Sequence, residues 1–509
     1  MSTNNAPGSV FLVGAGPGDP GLLTLRAAEV LRLADVLLYD ALASDPIVAM
    51  APPQCERIFV GKRGGNHAMP QEDIEALAVL KAREGKRVVR LKGGDPFVFC
   101  RGAEEAQTLR AAGVPFEIVP GITSAIAAPA YAGIPVTHRS YNPAFTVATG
   151  HEDPTKPAST IDWARLADPH RTLVLLMAIG NLREIAAQLV AHGLAADTPV
   201  AVIQDGTRPT QRTAVGTLAT IADDVAAAGI GAPAITIVGE VVRLREQIAW
   251  FDRGALFGKR VLVTRPAHQA DAFASELYAR GIEPILASTV LIEPPDDPHP
   301  GHHAIDELAS YAWIVFSSQN AVDAFFDRLN SLDADARYLG HAKVAAIGTK
   351  TAARLREHGI RADLIPAEFV SEEIARALIE SAATGDRVLV YRAQDARDVL
   401  PEMLEDAGLR VTIAPAYKTR FAHDPEFAKK VARADVLTFT SASTVRGFAD
   451  ALGGDADAVE AARGKTVACI GPITAGAARE CGLPVDIVAD VFTTAGLLDA
   501  LEAYFTLRV

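Results

Sequence analysis

VFLVGAGPGDPGLLTLRAAEVLRLADVLLYD, residues 10–40, decides the fold class. An apolar run ends at Gly14, and three glycines at 14, 16 and 18 open a turn. An amphipathic stretch, LLTLRAAEVLRLA, follows, and a second apolar run, VLLYD, ends at Asp40. Strand, glycine turn, helix and strand in that order form a parallel βαβ unit. The alternation continues outward: RIFVG and RVVRLKGG read as strands, with the helical pattern QEDIEALAVLKAREG between them. Such a chain builds parallel sheets covered by helices on both faces, and ligands bind beyond the carboxyl ends of the strands. The informative residues are those that end each apolar run.

Further along, GIPVTHRSYNPAF (133–145) breaks the rhythm and places a boundary between two lobes, 9–137 and 138–246. A second set of strands, TLVLLM, PVAVIQD, QRTAVGTL and AITIVGEVV, has hairpin character and predicts a mixed sheet. Residues 247–258 read as a linker, after which KRVLVTRP starts a fresh strand. The second half repeats itself. Phe316 with Phe439, Ile347 with Ile470, Gly359 with Gly482 and Phe369 with Phe492 keep one constant offset. Val261 with Val388 and Gly281 with Gly408 keep a second, slightly larger one. A unit this long is a duplicated domain rather than a solenoid repeat.

The 509 residues suggest three or four domains at about 150 residues each. A net charge of −13 argues against nucleic acid as a partner, although local Arg and Lys clusters still suit an anionic small molecule. Cys55, Cys100, Cys469 and Cys481 have no metal-ligand spacing, so no metal is expected, and they read as reduced cytoplasmic thiols. No apolar run approaches the roughly 18 residues of a membrane span. The opening residues 1–8 lack the pattern of a signal peptide and read as a disordered tail.

The G-x-G-x-G spacing at 14–18 is not a dinucleotide fingerprint, which needs G-x-G-x-x-G. Asp19 stands where the third glycine should be and would oppose a pyrophosphate, so a ligand without phosphate fits better. In RLKGGDPF, Gly93 and Gly94 open the backbone after a strand, and Asp95 before Pro96 reads as a helix N-cap. EIVPGITSA gives a third strand with a glycine-led turn.

Together GAGPGDPGLLT, VGKR, RLKGGDPFVF, VPGITSA, AYAGIPVTHR and TGH resemble uroporphyrinogen-III C-methyltransferase, a tetrapyrrole methylase, over residues 9–246. The resemblance implies two α/β lobes that bind S-adenosyl-L-methionine between them, release S-adenosyl-L-homocysteine, and pair as a homodimer through this half. It implies cofactor contacts at Pro17, Gly93, Gly94, Asp95, Val98, Thr123, Ser124, Met177 and Gly206. Asp40 and Lys62 match the family's proton-transfer pair, base and acid. Arg63, Arg101 and Arg139 are candidates for the carboxylates of a tetrapyrrole. Cys100 and Ala103 stand where the family usually has glycine.

Residues 259–509 resemble uroporphyrinogen-III synthase through VLVTRP, FSSQNAV, IGTKTA, RVLVYRAQDAR, APAYKT, FTSASTV and IGPITA. This implies two flavodoxin-like lobes joined by a two-stranded ladder, lobe one being 259–290 plus 421–509 and lobe two 291–420. The repeat does not coincide with these lobes, which implies that the first strand and helix are exchanged between them. The implied reaction is cyclisation of hydroxymethylbilane with inversion of ring D. Tyr417 matches the family tyrosine nearest the leaving hydroxyl; a phenol with a pKa near about 10 donates a proton while neutral. Ser317, Ser318, Thr349, Thr440, Ser441 and Thr474 offer hydroxyls at helix starts, where backbone N–H groups suit carboxylates. Arg265 is a further substrate-binding candidate, with Arg392 and Lys418 behind it.

Overall fold

Short apolar runs alternate with helices as the sequence pattern predicts, and among the described residues four five-stranded sheets form. The coordinates are a computed structural model, which describes residues 8–61, 69–151, 161–367 and 371–508. The first sheet contains β1 (Ser9–Gly14), β2 (Val36–Tyr39), β3 (Glu56–Phe59), β4 (Arg87–Lys92) and β5 (Phe116–Val119). All its pairings are parallel, in the order β3-β2-β4-β1-β5. The central β1 and β4 are buried on both faces, as their apolar runs demand: Val10, Val13, Val88, Val89 and Leu91 have no exposed surface. Chain crossovers leave these neighbours in opposite directions, so the loops after β1 and β4 flank a crevice.

The second sheet contains β6 (Ala144–Thr149), β7 (Arg171–Leu176), β8 (Pro199–Gln204), β9 (Arg212–Thr217) and β10 (Ala234–Val238), in the order β6-β7-β10-β8-β9. Only β6 and β7 run parallel. The mixed sheet is as read from the sequence, but β6 was hidden there: it starts directly after Pro143 inside the segment taken as a break.

Residues 247–258 are not a free linker. Phe251 is buried; its ring lies 4.8 Å from that of Tyr131 and 5.5 Å from that of Phe257. Trp250 donates from Nε1 to the Ala130 carbonyl at 3.1 Å, and Leu256 packs into the core with Val261, Phe273 and Leu277. Aromatic side chains thus glue this segment to both halves as a seam.

After the seam the chain forms β11 (Arg260–Val263) and β12 (Glu283–Leu286) and leaves for β13 (Val290–Glu293), β14 (Trp313–Phe316), β15 (Lys343–Ala346), β16 (Arg387–Ala393) and β17 (Arg410–Phe421). It returns with β18 (Val436–Phe439), β19 (Thr466–Cys469) and β20 (Ile487–Val488). The third sheet has the order β12-β11-β18-β19-β20 and the fourth β13-β17-β16-β14-β15. The twelve-residue β17 pairs in parallel with β16 along its first part and antiparallel with β13 at its end. β11, the first strand of one repeat, lies beside β18 of the other, while β16 lies beside β14. The four cysteines are unpaired, and among the described residues no helix is long and apolar enough to cross a membrane.

Candidate functional sites

Three glycine turns meet at the carboxyl edge of the first sheet. Gly16 donates to the Gly94 carbonyl at 3.1 Å, Gly94 donates back to Gly16 at 2.8 Å, and Ala15 donates to Lys92 at 2.8 Å. A Cβ on Gly14 would lie 2.6 Å from the Cα of Gly121, and one on Gly121 only 2.2 Å from the Gly94 oxygen. Glycine is therefore required for the turns after β1, β4 and β5 to touch. A Cβ on Gly94 would sit 3.7 Å from the Cα of Thr123 and 3.8 Å from the Ser124 nitrogen. Gly93, Gly94, Thr123 and Ser124 thus come together beside Gly16 and Pro17.

Asp95 does not cap a helix. Its carboxylate accepts from the Phe97 amide at 2.8 Å and from the Gly121 amide at 3.0 Å, tying the second turn to the third. The chain then runs irregularly through half-buried Val98, with Phe99 and Arg101 in the left-handed region, and the helix begins only at Gly102. Pro96 fitted the sequence pattern of a first helical turn, but the two left-handed residues delay the helix.

The second lobe contributes strained backbone. Met177 directly follows β7 with φ +57 and is 49% exposed, so it is not core packing. A non-glycine residue in that region marks a constrained site. After β8, Asp205 and Thr207 flank Gly206 with φ +49 and +73. A Cβ on Gly206 would fall 2.3 Å from that of Ala128 in the helix Ser124–Tyr131. Thr207 reaches the first turn: its hydroxyl accepts from the Asp19 amide at 3.1 Å. The Asp19 side chain is itself buried, accepting from Tyr131 at 2.7 Å and from the Gly21 amide at 2.7 Å. Its charge is spent on holding the turn rather than presented to a ligand. Burial, and then this bond to Asp19, push the Tyr131 phenol well above its ordinary pKa.

Behind the edge lies an ionic network that the sequence reading missed. Asp40 directly follows β2 and accepts from both terminal nitrogens of Arg90 at 3.4 Å. Arg90 lies 3.4 Å and Lys92 2.6 Å from the same oxygen of Glu105, which Gln71 also reaches at 3.0 Å. Arg90, Lys92 and Glu105 are almost wholly buried, and the second Glu105 oxygen has no protein partner. Burial, reinforced by Arg90, lowers the Lys92 ammonium pKa. The signal was present in RVVRLK: two cations two residues apart project to one face of a central strand and demand a buried acid. Cys100 donates to the Gly93 carbonyl at 3.2 Å, and burial raises its thiol. Lys62 and Arg63 lie outside the described residues. Arg101 pairs with Glu104, and Arg139 is exposed.

In the second half, the candidate residues gather at the carboxyl ends of β11, β14, β15, β18 and β19. Ser318 caps the helix Gln319–Ser331, accepting from the Ala321 amide at 3.1 Å, and its hydroxyl lies 3.0 Å from that of Tyr417. Tyr417 is otherwise buried in the core with Phe316 and Tyr391. Ser441 caps the helix Ala442–Leu452 with a full capping box; Ser317 and Thr440 are half-buried beside their caps, and Thr349 is exposed as first residue of Thr349–Glu357. Thr474 does not line the loop: third in the helix Pro472–Glu480, it turns inward and is 4% exposed.

The two lobes touch where Gln269 donates to Asn320 at 2.8 Å, and Arg265 donates to Gln269 at 3.0 Å. The Arg265 Nε is buried without a protein partner, and burial lowers its pKa. Lys350, next to Thr349, was missed; burial and then Arg265 lower its pKa, so cations of both lobes share one field. Arg392 and Lys418 are taken up by internal partners, Asp398 and the Arg397 carbonyl for the first and Asp296 for the second.

Comparison with known proteins matches residues 9–222 to the tetrapyrrole (corrin/porphyrin) methylases and 271–499 to uroporphyrinogen-III synthase HemD. The porphyrin biosynthesis protein HemD of Ruminiclostridium josui is 38% identical over 500 residues, 97% of each chain. The S-adenosyl-L-methionine-dependent uroporphyrinogen III methyltransferase of Methanosarcina barkeri is 55% identical over 239 residues, 47% of this chain and 94% of that one. A crystal structure of uroporphyrin-III C-methyl transferase from Thermus thermophilus with S-adenyl homocysteine is 40% identical, covering 46% of this chain and 99% of that one at a TM-score of 0.40. The chain belongs, over 97% of its length, to the HemD porphyrin-biosynthesis family, with a tetrapyrrole methylase half followed by a uroporphyrinogen-III synthase half.

Proposed function

We propose that the chain is a bifunctional enzyme of tetrapyrrole biosynthesis that cyclises hydroxymethylbilane to uroporphyrinogen III, inverting ring D, and methylates that product at C2 and C7 to precorrin-2. The observation that carries the reading is the pair of separate loop clusters on one chain, each at the carboxyl edge of parallel strands. S-adenosyl-L-methionine fits the first cluster, where any Cβ on Gly14 or Gly121 would fill the contact and Met177 offers an exposed, soft, apolar surface to a purine. When bound, it supplies an electrophilic methyl group on a sulfonium.

The chain's own residues do the rest. The turns around Pro17, Gly93–Asp95 and Thr123–Ser124 orient the cofactor, and Val98, Met177 and Gly206 enclose it. Positioning of this kind supplies much of the rate of a displacement. Asp40 takes the proton that the methylated ring carbon must lose, held in place by Arg90. Lys62 serves as the acid, and Arg63, Arg101 and Arg139 bind substrate carboxylates.

In the second half, Tyr417 donates to the leaving hydroxyl and Ser318 fixes the direction of its O–H. Arg265, with Ser317, Thr349, Thr440 and Ser441, binds carboxylates while the lobes fold the linear substrate. The protein works in the cytoplasm as a homodimer paired through its first half, where Phe97 and Phe99 are exposed.

The halves are tested separately in the intact chain. Uroporphyrinogen III with S-adenosyl-L-methionine should gain two methyl groups, and hydroxymethylbilane alone should give the type III isomer. Unmethylated product in the first assay, or type I alone in the second, refutes the corresponding half of the reading.

A further inference from the structure

The helix Ala267–Ala279 belongs to the second half, yet its two ends serve different sites. At its start, Gln269 joins Arg265 and, across the lobes, Asn320. Thirteen residues make a rod about 20 Å long. In its last turn, Tyr278 leaves the synthase half altogether: its hydroxyl donates to the carbonyl oxygen of Gly18, 3.3 Å away, in the GPGD turn of the first half. The tyrosine is only 8% exposed, so the contact is buried within the seam.

Gly18 needs such support. Its φ of +145 is a conformation side chains rarely adopt, and a Cβ there would strike the Arg208 side chain at 2.5 Å. The carbonyl accepts two hydrogen bonds, which fill both its lone pairs. One comes from Ser44 of the same half at 2.8 Å; the other is that of Tyr278. Around the turn, Thr207 holds the Asp19 amide, Tyr131 holds the Asp19 carboxylate, and Arg208 reaches over to the Leu42 carbonyl at 2.8 Å. Phe257 closes the seam beneath Gly281, where a Cβ would fall 2.5 Å from the ring.

We propose that Tyr278 is a positioning residue for methyl transfer, supplied by the synthase half: it fixes the GPGD turn, so that cofactor affinity depends on the docked second half. This rests on the reading that the GPGD turn lines the cofactor site. Tyr278 touches no reacting atom and acts only through Gly18.

The test uses the intact chain with Tyr278→Phe, which keeps the ring and removes the hydroxyl, and with Gly18→Ala, which disturbs the turn directly. S-adenosyl-L-homocysteine is titrated, and methylation of supplied uroporphyrinogen III is measured against S-adenosyl-L-methionine. Loss of one neutral hydrogen bond predicts a Kd and a KM about two- to tenfold higher for Tyr278→Phe. The kcat at saturating cofactor and the rate of ring closure should stay at wild-type values, a split that general loosening of the fold would not produce. Wild-type affinity in Tyr278→Phe, with weakened affinity in Gly18→Ala, overturns the proposal and leaves the cofactor reading standing. Unchanged affinity in both variants overturns the reading and the proposal together. Should Tyr278→Phe lose ring closure in parallel, the residue is structural and the proposal fails. Tyr278→Met, which keeps apolar bulk without the hydroxyl, carries the same prediction if the first variant folds poorly.

Discussion

In the first half, backbone forms the candidate site: Gly14, Gly16, Gly94 and Gly121 bring three turns into contact, and a network of three buried charges, joined by the partly exposed Asp40, stands behind them. In the second half, hydroxyl-capped helix starts line the loops, and Tyr417 keeps its ring in the core. The difference follows from the chemistry each half performs. Methyl transfer needs reacting atoms held in line and a base fixed in position, a demand that touching turns and an ion network would suit. Ring closure begins with loss of a hydroxyl and then needs the chain folded correctly, which a cleft with few charges can do.

The contrast breaks most sharply at the turns. Gly121→Val should cut methylation by at least about a hundredfold, since displacement of the turns misplaces the cofactor, and should leave ring closure at its wild-type rate. Equal loss of both activities would show that the halves are not separate sites. Next, Asp40→Ala should lower kcat for methylation by about 10²–10⁴ without affecting ring closure; a wild-type rate would remove Asp40 as the base.

Glu105→Ala leaves Lys92 buried without its acid and Arg90 with Asp40 alone. It should destabilise the first half by about 3–5 kcal/mol, seen as an earlier transition in urea unfolding followed by an activity assay for each half. An unchanged transition would mean that water satisfies both cations. Tyr417→Phe should slow ring closure by less than the roughly 10²–10⁴ typical of a general acid, because a good leaving group needs little help, with methylation of supplied uroporphyrinogen III unchanged; an unaltered rate returns Tyr417 to the core. Smallest of all, Thr474→Val should leave KM for hydroxymethylbilane unaltered, because Thr474 is buried against the core. A raised KM would place its hydroxyl at the substrate after all.

The parts legible in the sequence were the local ones. A strand end and its glycines lie within a few residues of each other, so the turns around Gly16, Gly94 and Thr123 could be read directly, as could the Ser318 and Ser441 caps. The parts that escaped depend on distant partners. Arg90 meets Asp40 only once β2 and β4 are side by side, and meets Glu105 only once the helix Gly102–Ala111 has folded back. Residues 247–258 read as a linker because their partners, Tyr131 and Gly281, stand far off in the chain. Asp95 read as a cap because nothing local announces the left-handed turns at Phe99 and Arg101. Thr474 differed from Ser441 only in helix position, which decides whether a hydroxyl faces the loop or the core.

The most direct test of the account supplies the intact protein with hydroxymethylbilane and S-adenosyl-L-methionine, without oxygen, and determines the mass and isomer of the product. Two active halves on one chain predict a type III tetrapyrrole carrying two added methyl groups. A type I product, or a type III product without added methyl groups, would contradict it.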